Sequence, residues 1–272
     1  MYQFSVLMSV YIKEKPEFVE SCFKSLLKQT VKANEWVIVE DGPISKEMTH
    51  LLDMYQSLYP GLIKRIKLKE NQGLGLALRI GIEKCSNELI ARMDTDDLAR
   101  EDRFEKQLQM FIDNPILDIC GSNIDEFEST PDLIVAHRIV PTTHADIVKY
   151  QKKRDPFNHM TVMYKKTAVI NAGNYAYCPL MEDTYLWARM IKNGAKCANI
   201  GESLVYVRIG QEMFKRRGGL DYFKMYREGK RKVLETGMIS KWDYLLTVSA
   251  QAFVAIVPNR IRSLIYKKFL HR

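Results

Sequence analysis

Three carboxylates stand within four positions at Asp94-Thr95-Asp96-Asp97, directly after the apolar run 88–93. Charges this close repel unless something positive compensates them, and a divalent cation is the usual partner. Hard oxygen ligands suit Mg²⁺ or Mn²⁺. Such an ion can bridge a diphosphate and stabilise it as a leaving group. A solvated acidic turn or a helix N-cap would show the same residues. The preceding strand, and the other polar segments expected to converge there, favour the cation.

Four further groups can carry chemistry. Asp41, in Glu40-Asp41-Gly42, can accept a ring N–H such as the uracil imide, although Asp-Gly is also plain turn chemistry. Asn71-Gln72-Gly73-Leu74-Gly75 precedes a helical pattern, where backbone N–H groups can approach phosphate. It has neither the Walker lysine nor the full dinucleotide fingerprint, so a helix start with glycines explains it equally. Glu182-Asp183 opens a helix, and either residue can be the general base that a sugar hydroxyl needs. Acidic residues also simply favour a helix N-terminus. His159, beside an expected strand, reads as a hydrogen-bonded core histidine unless it faces the cleft.

The elements that must position these residues follow from periodicity. Short runs rich in β-formers mark strands at 4–10, 36–39, 63–68 and 88–93. Between them lie helical patterns: one opened by Pro16, one with Met48, Leu51, Leu52 and Tyr55 inward, and one over 73–85. This alternation predicts an α/β fold with a mainly parallel, mixed sheet flanked by helices. Right-handed crossovers place all strand C-termini on one edge, beyond which ligands bind. Tyr11 with Lys13-Glu14, Glu40-Asp41 and Asp94–Asp97 should meet there. Later strands are expected within 118–123 and 195–207, and helices over 182–193, 211–236 and 242–257. Residues 1–207 read as a catalytic domain with halves 1–97 and 98–207, and 208–272 as a basic helical extension.

Of the 272 residues, 46% are hydrophobic and 27% charged, which argues against whole-chain disorder. The net charge of +8 is concentrated in the extension: from Arg208 onward 15 Lys and Arg face 5 Asp and Glu. Such a segment suits an anionic surface. Five scattered cysteines without a CxxC pair read as reduced buried thiols, not as a zinc site or disulfide framework. The N-terminal stretch reads as a strand, not a signal peptide. The apolar stretch near 244–258 is too short and too interrupted to span a bilayer.

The order and spacing of these blocks resemble the family 2 glycosyltransferases of bacterial polysaccharide synthesis. The resemblance is carried by Ser5–Tyr11, Lys13–Pro16, Ser25–Thr30, Val37–Pro43, Asn71–Leu78, Ile90–Asp97, Asp102-Arg103, Asn158–Met163, Gly173–Tyr175, Met181–Arg189 and Arg216–Gly219. It implies a GT-A-type, Rossmann-like fold. It also implies a nucleotide-sugar site formed by Tyr11, Glu14, Asp41, Asn71, Gly73, Arg92, Asp94, Thr95, Asp96 and Arg217. Within it Tyr11 and Asp41 would hold the base, Asp94 and Asp96 the ribose and diphosphate, and Asp96 or Asp97 the Mn²⁺ or Mg²⁺. Asp183 would be the base of an inverting transfer, with His159 and Glu182 as neighbours in the acceptor cleft. Three positions depart from the usual pattern: Arg79 for Asn, Met160 for Pro, and Asn174 for a second Gly. None removes a proposed catalytic carboxylate.

The expected reaction moves a sugar from a nucleotide-sugar, UDP-sugar by default, to a glycan or polyprenyl-diphosphate-linked acceptor. The tail suits peripheral binding at the cytoplasmic face of a bacterial membrane, although a helix packed on the core would have similar composition. A sugar-nucleotide-forming nucleotidyltransferase would carry a Gly-rich basic loop after the first strand, where this chain has Tyr11-Ile12-Lys13-Glu14. A nucleic-acid-binding protein would explain the basic tail but not the acidic cluster, so no nucleic-acid partner is expected.

Overall fold

The computed structural model describes residues 3–210 and 219–257. The first half follows the expected alternation: β1 (Phe4–Val10), α1 (Pro16–Leu27), β2 (Glu35–Glu40), α2 (Lys46–Leu58), β3 (Ile63–Lys67), α3 (Leu74–Lys84) and β4 (Leu89–Arg92). Strands β1 and β2 are buried on both faces, as a parallel strand between two helical layers must be. Pro16 supplies the first residue of α1. Ser45 caps α2 by accepting the Met48 N–H at 3.1 Å.

The second half adds β5 (Leu98–Ala99), α4 (Arg103–Asp113), β6 (Leu117–Phe127), β7 (Ile134–Arg138), α5 (His144–Gln151), β8 (Met163–Lys165), α6 (Lys166–Asn171), α7 (Glu182–Lys192) and β9 (Lys196–Arg208). The nine strands among the described residues form one continuous sheet in the order β3-β2-β1-β4-β8-β6-β9-β5, with β7 paired to β6. The parallel character belongs to β3-β2-β1-β4 and to β6-β9, while β8 runs antiparallel to both β4 and β6. This reversal delivers the segment before β8, rather than the one after it, to the ligand edge.

Two apolar layers sandwich the sheet. One holds Phe23, Trp36, Tyr55 and Phe104. The other holds Leu78, Phe157, Tyr164, Tyr175 and Trp187. The extension forms α8 (Leu220–Glu235) and α9 (Lys241–Ile256). The helix expected over 211–236 thus appears from Leu220, and residues 211–218 lie outside the described residues. Helix α8 packs on α7 through Val233 and Ala188. Its Gly229 lies so close to the 179 carbonyl that an added Cβ would sit 2.5 Å from that oxygen. Helix α9 starts at a reciprocal capping box between Ser240 and Asp243 and rests on α8 through Tyr244. Packing on the core, one of the two expectations for the tail, describes α8. Helix α9 leaves Trp242, Leu245, Leu246 and Phe253 exposed. Among the described residues, no helix is long and apolar enough to cross a membrane.

Candidate active site

Parallel pairing fixes the ends of β1, β2 and β4 side by side. The Asp41 N–H donates to the Val10 carbonyl at 2.8 Å, and the Met93 N–H to the Leu7 carbonyl at 3.1 Å. The Thr95 hydroxyl donates to the Ser9 carbonyl at 3.4 Å, and the Cys22 thiol to the Asp94 carbonyl at 3.4 Å. From the antiparallel side, the Arg92 N–H donates to the Val162 carbonyl at 2.8 Å. That bond carries the 3₁₀ turn His159–Thr161 to the same edge. The expected convergence of Glu14 and Asp94–Asp97 is found, and His159, Glu182 and Asp183 join it.

Asp94, Asp96 and Asp97 keep one carboxylate oxygen each within 4.8 Å of one another. The donor set is all oxygen, which suits a hard divalent cation. Arg92 is buried, and its Nη2 reaches Asp94 Oδ1 at 2.5 Å. The other guanidinium nitrogens, Nε and Nη1, are buried without a protein partner. Asp97 is buried and accepts the Arg208 N–H at 2.9 Å, while Arg208 Nε donates to the Asp96 carbonyl at 3.3 Å. Burial and the neighbouring Asp94 raise the Asp96 carboxyl to about 6. Burial, Asp96 and Asp94 raise Asp97 well above the usual range, and burial with Asp96 and Asp94 raises Glu14 to about 7. These carboxylates are under-compensated by protein cations, the condition that a metal ion relieves.

The other cluster sits at the start of α7. Asp183 Oδ1 accepts the Thr184 N–H at 2.7 Å, one of the orphan donors of a helix start. Its Oδ2 lies 3.9 Å from His159 Nδ1, too far for a hydrogen bond. The Thr184 hydroxyl lies 3.0 Å from Asp155 Oδ2 and 3.5 Å from Asp183 Oδ1. One hydroxyl proton therefore serves two carboxyl groups. Burial and the adjacent Asp183 raise Asp155 well above the usual range. Burial opposes the charge on Asp183, but His159 while its ring is protonated at low pH, a hydrogen bond from Asp155 and the Thr184 amide hold it below the usual range. The pair titrates as a unit, with the proton favoured on Asp155 and the charge on Asp183. Burial and Arg92 lower His159 to about 4, leaving it neutral at pH 7. Its Nε2 meets the Tyr175 hydroxyl at 2.6 Å, and Trp187 packs edge-on against its ring at 5.9 Å between centroids.

The nucleotide end differs from expectation in one respect. The Asp41 carboxylate accepts the Gln72 N–H at 2.7 Å, the Gly73 N–H at 3.0 Å and the Asn71 side-chain amide at 3.0 Å. The Gly73 amide, expected to face phosphate, is thus turned inward because Asp41 occupies it. A carboxylate has about four acceptor positions, so one remains on Asp41. Gly42 fits here only as glycine: φ is +83°, and a Cβ would lie 2.6 Å from the Asn71 nitrogen. A Cβ at Gly75 would lie 3.0 Å from Glu182 Cβ, so small size there lets α3 and α7 approach. Tyr11 follows β1, its carbonyl accepting the Glu14 N–H at 3.1 Å. Arg217 lies outside the described residues.

Two departures from the family pattern contact one another. The Asn174 amide donates to the Arg79 carbonyl at 3.1 Å, and Arg79 Nη1 donates to the Tyr175 carbonyl at 2.8 Å. Asn174 has φ +59°, a conformation that asparagine tolerates better than most side chains. Together they fix the loop bearing Tyr175. Sequence reading missed Asp155, Tyr175 and Arg208. Asp155-Pro156 looks like a turn, and nothing local says that it reaches the start of α7.

The model for glycosyl transferase family 2 matches residues 5–171. The chain is 39% identical over 270 residues to an uncharacterized glycosyltransferase of Haemophilus influenzae, covering 99% of this chain and all of that one. It is 35% identical to the UDP-Gal:alpha-D-GlcNAc-diphosphoundecaprenol beta-1,3-galactosyltransferase of Escherichia coli, covering 99% of this chain and 97% of the relative. Staphylococcus aureus TarS 1–349 in complex with UDP-GlcNAc superposes with a TM-score of 0.62 at 17% identity, over 98% of this chain and 71% of TarS. The mannosyltransferase PcManGT of Pyrobaculum calidifontis, in complex with GDP-Man and Mn²⁺, gives 0.64 at 11%, over 98% of this chain and 80% of that one. At such identities the two structures speak for the GT-A fold. The matched family model and full-length relatives speak for the activity: this chain belongs to glycosyl transferase family 2 and is a glycosyltransferase.

Proposed function

We propose that the chain is an inverting hexosyl- or N-acetylhexosaminyltransferase that moves a sugar from a UDP-sugar to a glycan on a polyprenyl diphosphate carrier. The observation that carries this reading is the meeting of two unlike carboxylate clusters around Arg92 and His159. One is built to hold a cation, the other to hold a proton acceptor ionised. The named activity of the Escherichia coli relative supports the donor and carrier.

Asp183 Oδ2 takes the proton of the acceptor hydroxyl as that oxygen attacks the anomeric carbon. Its partner Oδ1 stays anchored on the Thr184 amide, so the base is aimed before substrate arrives. Neutral His159 and Tyr175 wall the base without competing for its charge. Asp96 and Asp97, with Asp94 in reach, would hold Mn²⁺ or Mg²⁺, which neutralises charge on the departing diphosphate. Arg92 contributes fixed positive charge beside Asp94, and Arg217, outside the described residues, is assigned to the diphosphate by the family resemblance alone. Tyr11 and Asp41 flank the base, Glu14, Asn71 and Thr95 complete the nucleotide side, and Glu182 lines the acceptor side. The catalytic domain is 1–207, and 208–272 attaches it to the cytoplasmic face of the membrane.

The test is transfer by purified protein. UDP-Gal and UDP-GlcNAc are offered with Mn²⁺ and a lipid-diphosphate-linked GlcNAc acceptor. Acceptor-dependent UDP release with inversion at the anomeric carbon is expected. Turnover of neither donor, or product with retained configuration, would refute the proposal.

A further inference from the structure

Helix α5 ends in a cavity of about 640 Å³ whose lining includes Lys149, Tyr150, Lys152, Lys153 and Arg154. Asp146 also lines it, but that carboxylate is engaged at the helix start, accepting the Thr143 hydroxyl at 2.7 Å. Four of its lining residues are cationic and one is acidic, and the reaction centre described above makes no use of it. Its place is informative. Gln151 Nε2 donates to the Thr184 carbonyl at 2.9 Å, and Asp155, next to Arg154, accepts the Thr184 hydroxyl. The cavity is thus tied to the first turn of α7, where Asp183 sits. On its other side, Lys152 and Lys153 act on Asp243 at the start of α9. There Trp242, Leu245, Leu246 and Phe253, spaced i, i+3, i+4 and i+11, form one exposed apolar stripe. The cavity is thus linked to Asp183 through Thr184 on one side and to the start of α9 through Asp243 on the other.

A lipid-linked sugar has the same order: hydroxyl, diphosphate, hydrocarbon. We propose that the cavity at the end of α5 binds the diphosphate of the lipid-linked acceptor, with the acceptor sugar directed to Asp183 and the lipid leaving along α9. This rests on the functional reading above and adds the subsite that selects the carrier. Lysine and arginine side chains suit a diphosphate through charge-assisted hydrogen bonds. The stripe on α9 suits hydrocarbon at a membrane interface.

The test uses the full chain with exposed lysines reversed, Lys152→Glu with Lys153→Glu, and Lys152→Arg with Lys153→Arg as the charge-keeping control. Acceptors are GlcNAc linked to dodecyl diphosphate and a dodecyl GlcNAc glycoside without phosphate. Losing hydrogen bonds to a charged group predicts a KM for the diphosphate acceptor raised roughly tenfold or more. The KM for donor, turnover of the neutral glycoside and binding to phosphatidylglycerol vesicles should be unchanged, and the arginine pair should behave as wild type. An unchanged KM in the glutamate pair, with wild type active, would overturn the cavity assignment alone. So would an equal loss on the neutral glycoside, or a matching loss of vesicle binding, which would make the cavity a phospholipid head-group site. Failure of wild type to use any diphosphate acceptor would overturn the functional reading, and the subsite with it.

Discussion

At the end of β4, Asp94, Asp96 and Asp97 crowd their oxygens within 4.8 Å, and Arg92 and Arg208 give them only partial relief. At the start of α7, Asp155, Glu182 and Asp183 are also adjacent, yet a threonine hydroxyl and a helix amide are positioned to share their charge. The residue type is the same and the partners differ. Where partners leave net negative charge, the proposed role is a cation site. Where a partner favours the proton on one member, the proposed role of its neighbour is the base. Environment, not sequence, separates the two roles.

The largest effect that sharpens this contrast is expected from Asp96→Asn. If the β4 cluster holds the metal, losing a ligand removes several kcal/mol of charge stabilisation, roughly 10³-fold in rate. Donor affinity in Mn²⁺ should fall as well, measured by calorimetry with UDP. Wild-type activity in excess EDTA would remove the distinction between the clusters.

Next come two substitutions at Asp155. Asp155→Ala removes a hydrogen bond to a charged group, worth about 1.5–3 kcal/mol, so transfer should drop roughly 10–100-fold. Asp155→Asn retains an N–H donor toward Asp183 and should stay close to wild type at pH 7. The Asp155 carboxyl is raised, so in wild type its proton is lost at a higher pH than that of an ordinary aspartate, and two facing charges then lower activity. That fall with rising pH should vanish in Asp155→Asn. An identical pH–rate profile would show that Asp155 only fills space.

How much of this was legible beforehand differs between the same two regions. The β4 cluster is contiguous in sequence and follows an apolar run, so its residues and its sheet edge could be read directly. Parallel β1, β2 and β4 needed only helical and strand periodicity. The α7 cluster is assembled from residues 155, 159, 175 and 183, which only the antiparallel β8 and the aromatic packing around Trp187 bring together. Glu182 and Asp183 were visible as candidates, but the approach of Asp155 to Thr184 was not. The inward turn of the Gly73 amide was equally hidden, because it depends on the side chain of Asp41, thirty-two positions away.

Glu182 provides a smaller test. Burial, with Asp183 adding to it, raises this carboxyl to about 7 from an ordinary 4.5. A folded-state value above the unfolded one means that the folded chain binds more protons between those pH values, so stability falls as pH rises through that window. Glu182→Gln removes the charge and should raise Tm at pH 8 relative to wild type, while the two match at pH 4. Its transfer rate should change by less than that of Asp183→Asn. A Tm gain at pH 4 and none at pH 8 would reverse the assigned sign.

The smallest effect concerns the tail. Deleting residues 242–272 should release the protein from anionic vesicles and leave donor hydrolysis nearly unchanged, and high salt should weaken vesicle binding by the intact chain. Vesicle binding that neither deletion nor salt alters would place attachment elsewhere.

The division between the two clusters is tested most directly by Asp183→Asn, with UDP binding and sugar transfer measured on the same preparation. Asparagine keeps the size of the side chain and its contact with the Thr184 amide but is no general base. Affinity for UDP in Mn²⁺ should remain near wild type while transfer falls by roughly 10²–10⁴-fold. Transfer at the wild-type rate, or a loss of UDP affinity matching that of Asp96→Asn, would contradict the separation of proton acceptor from metal site.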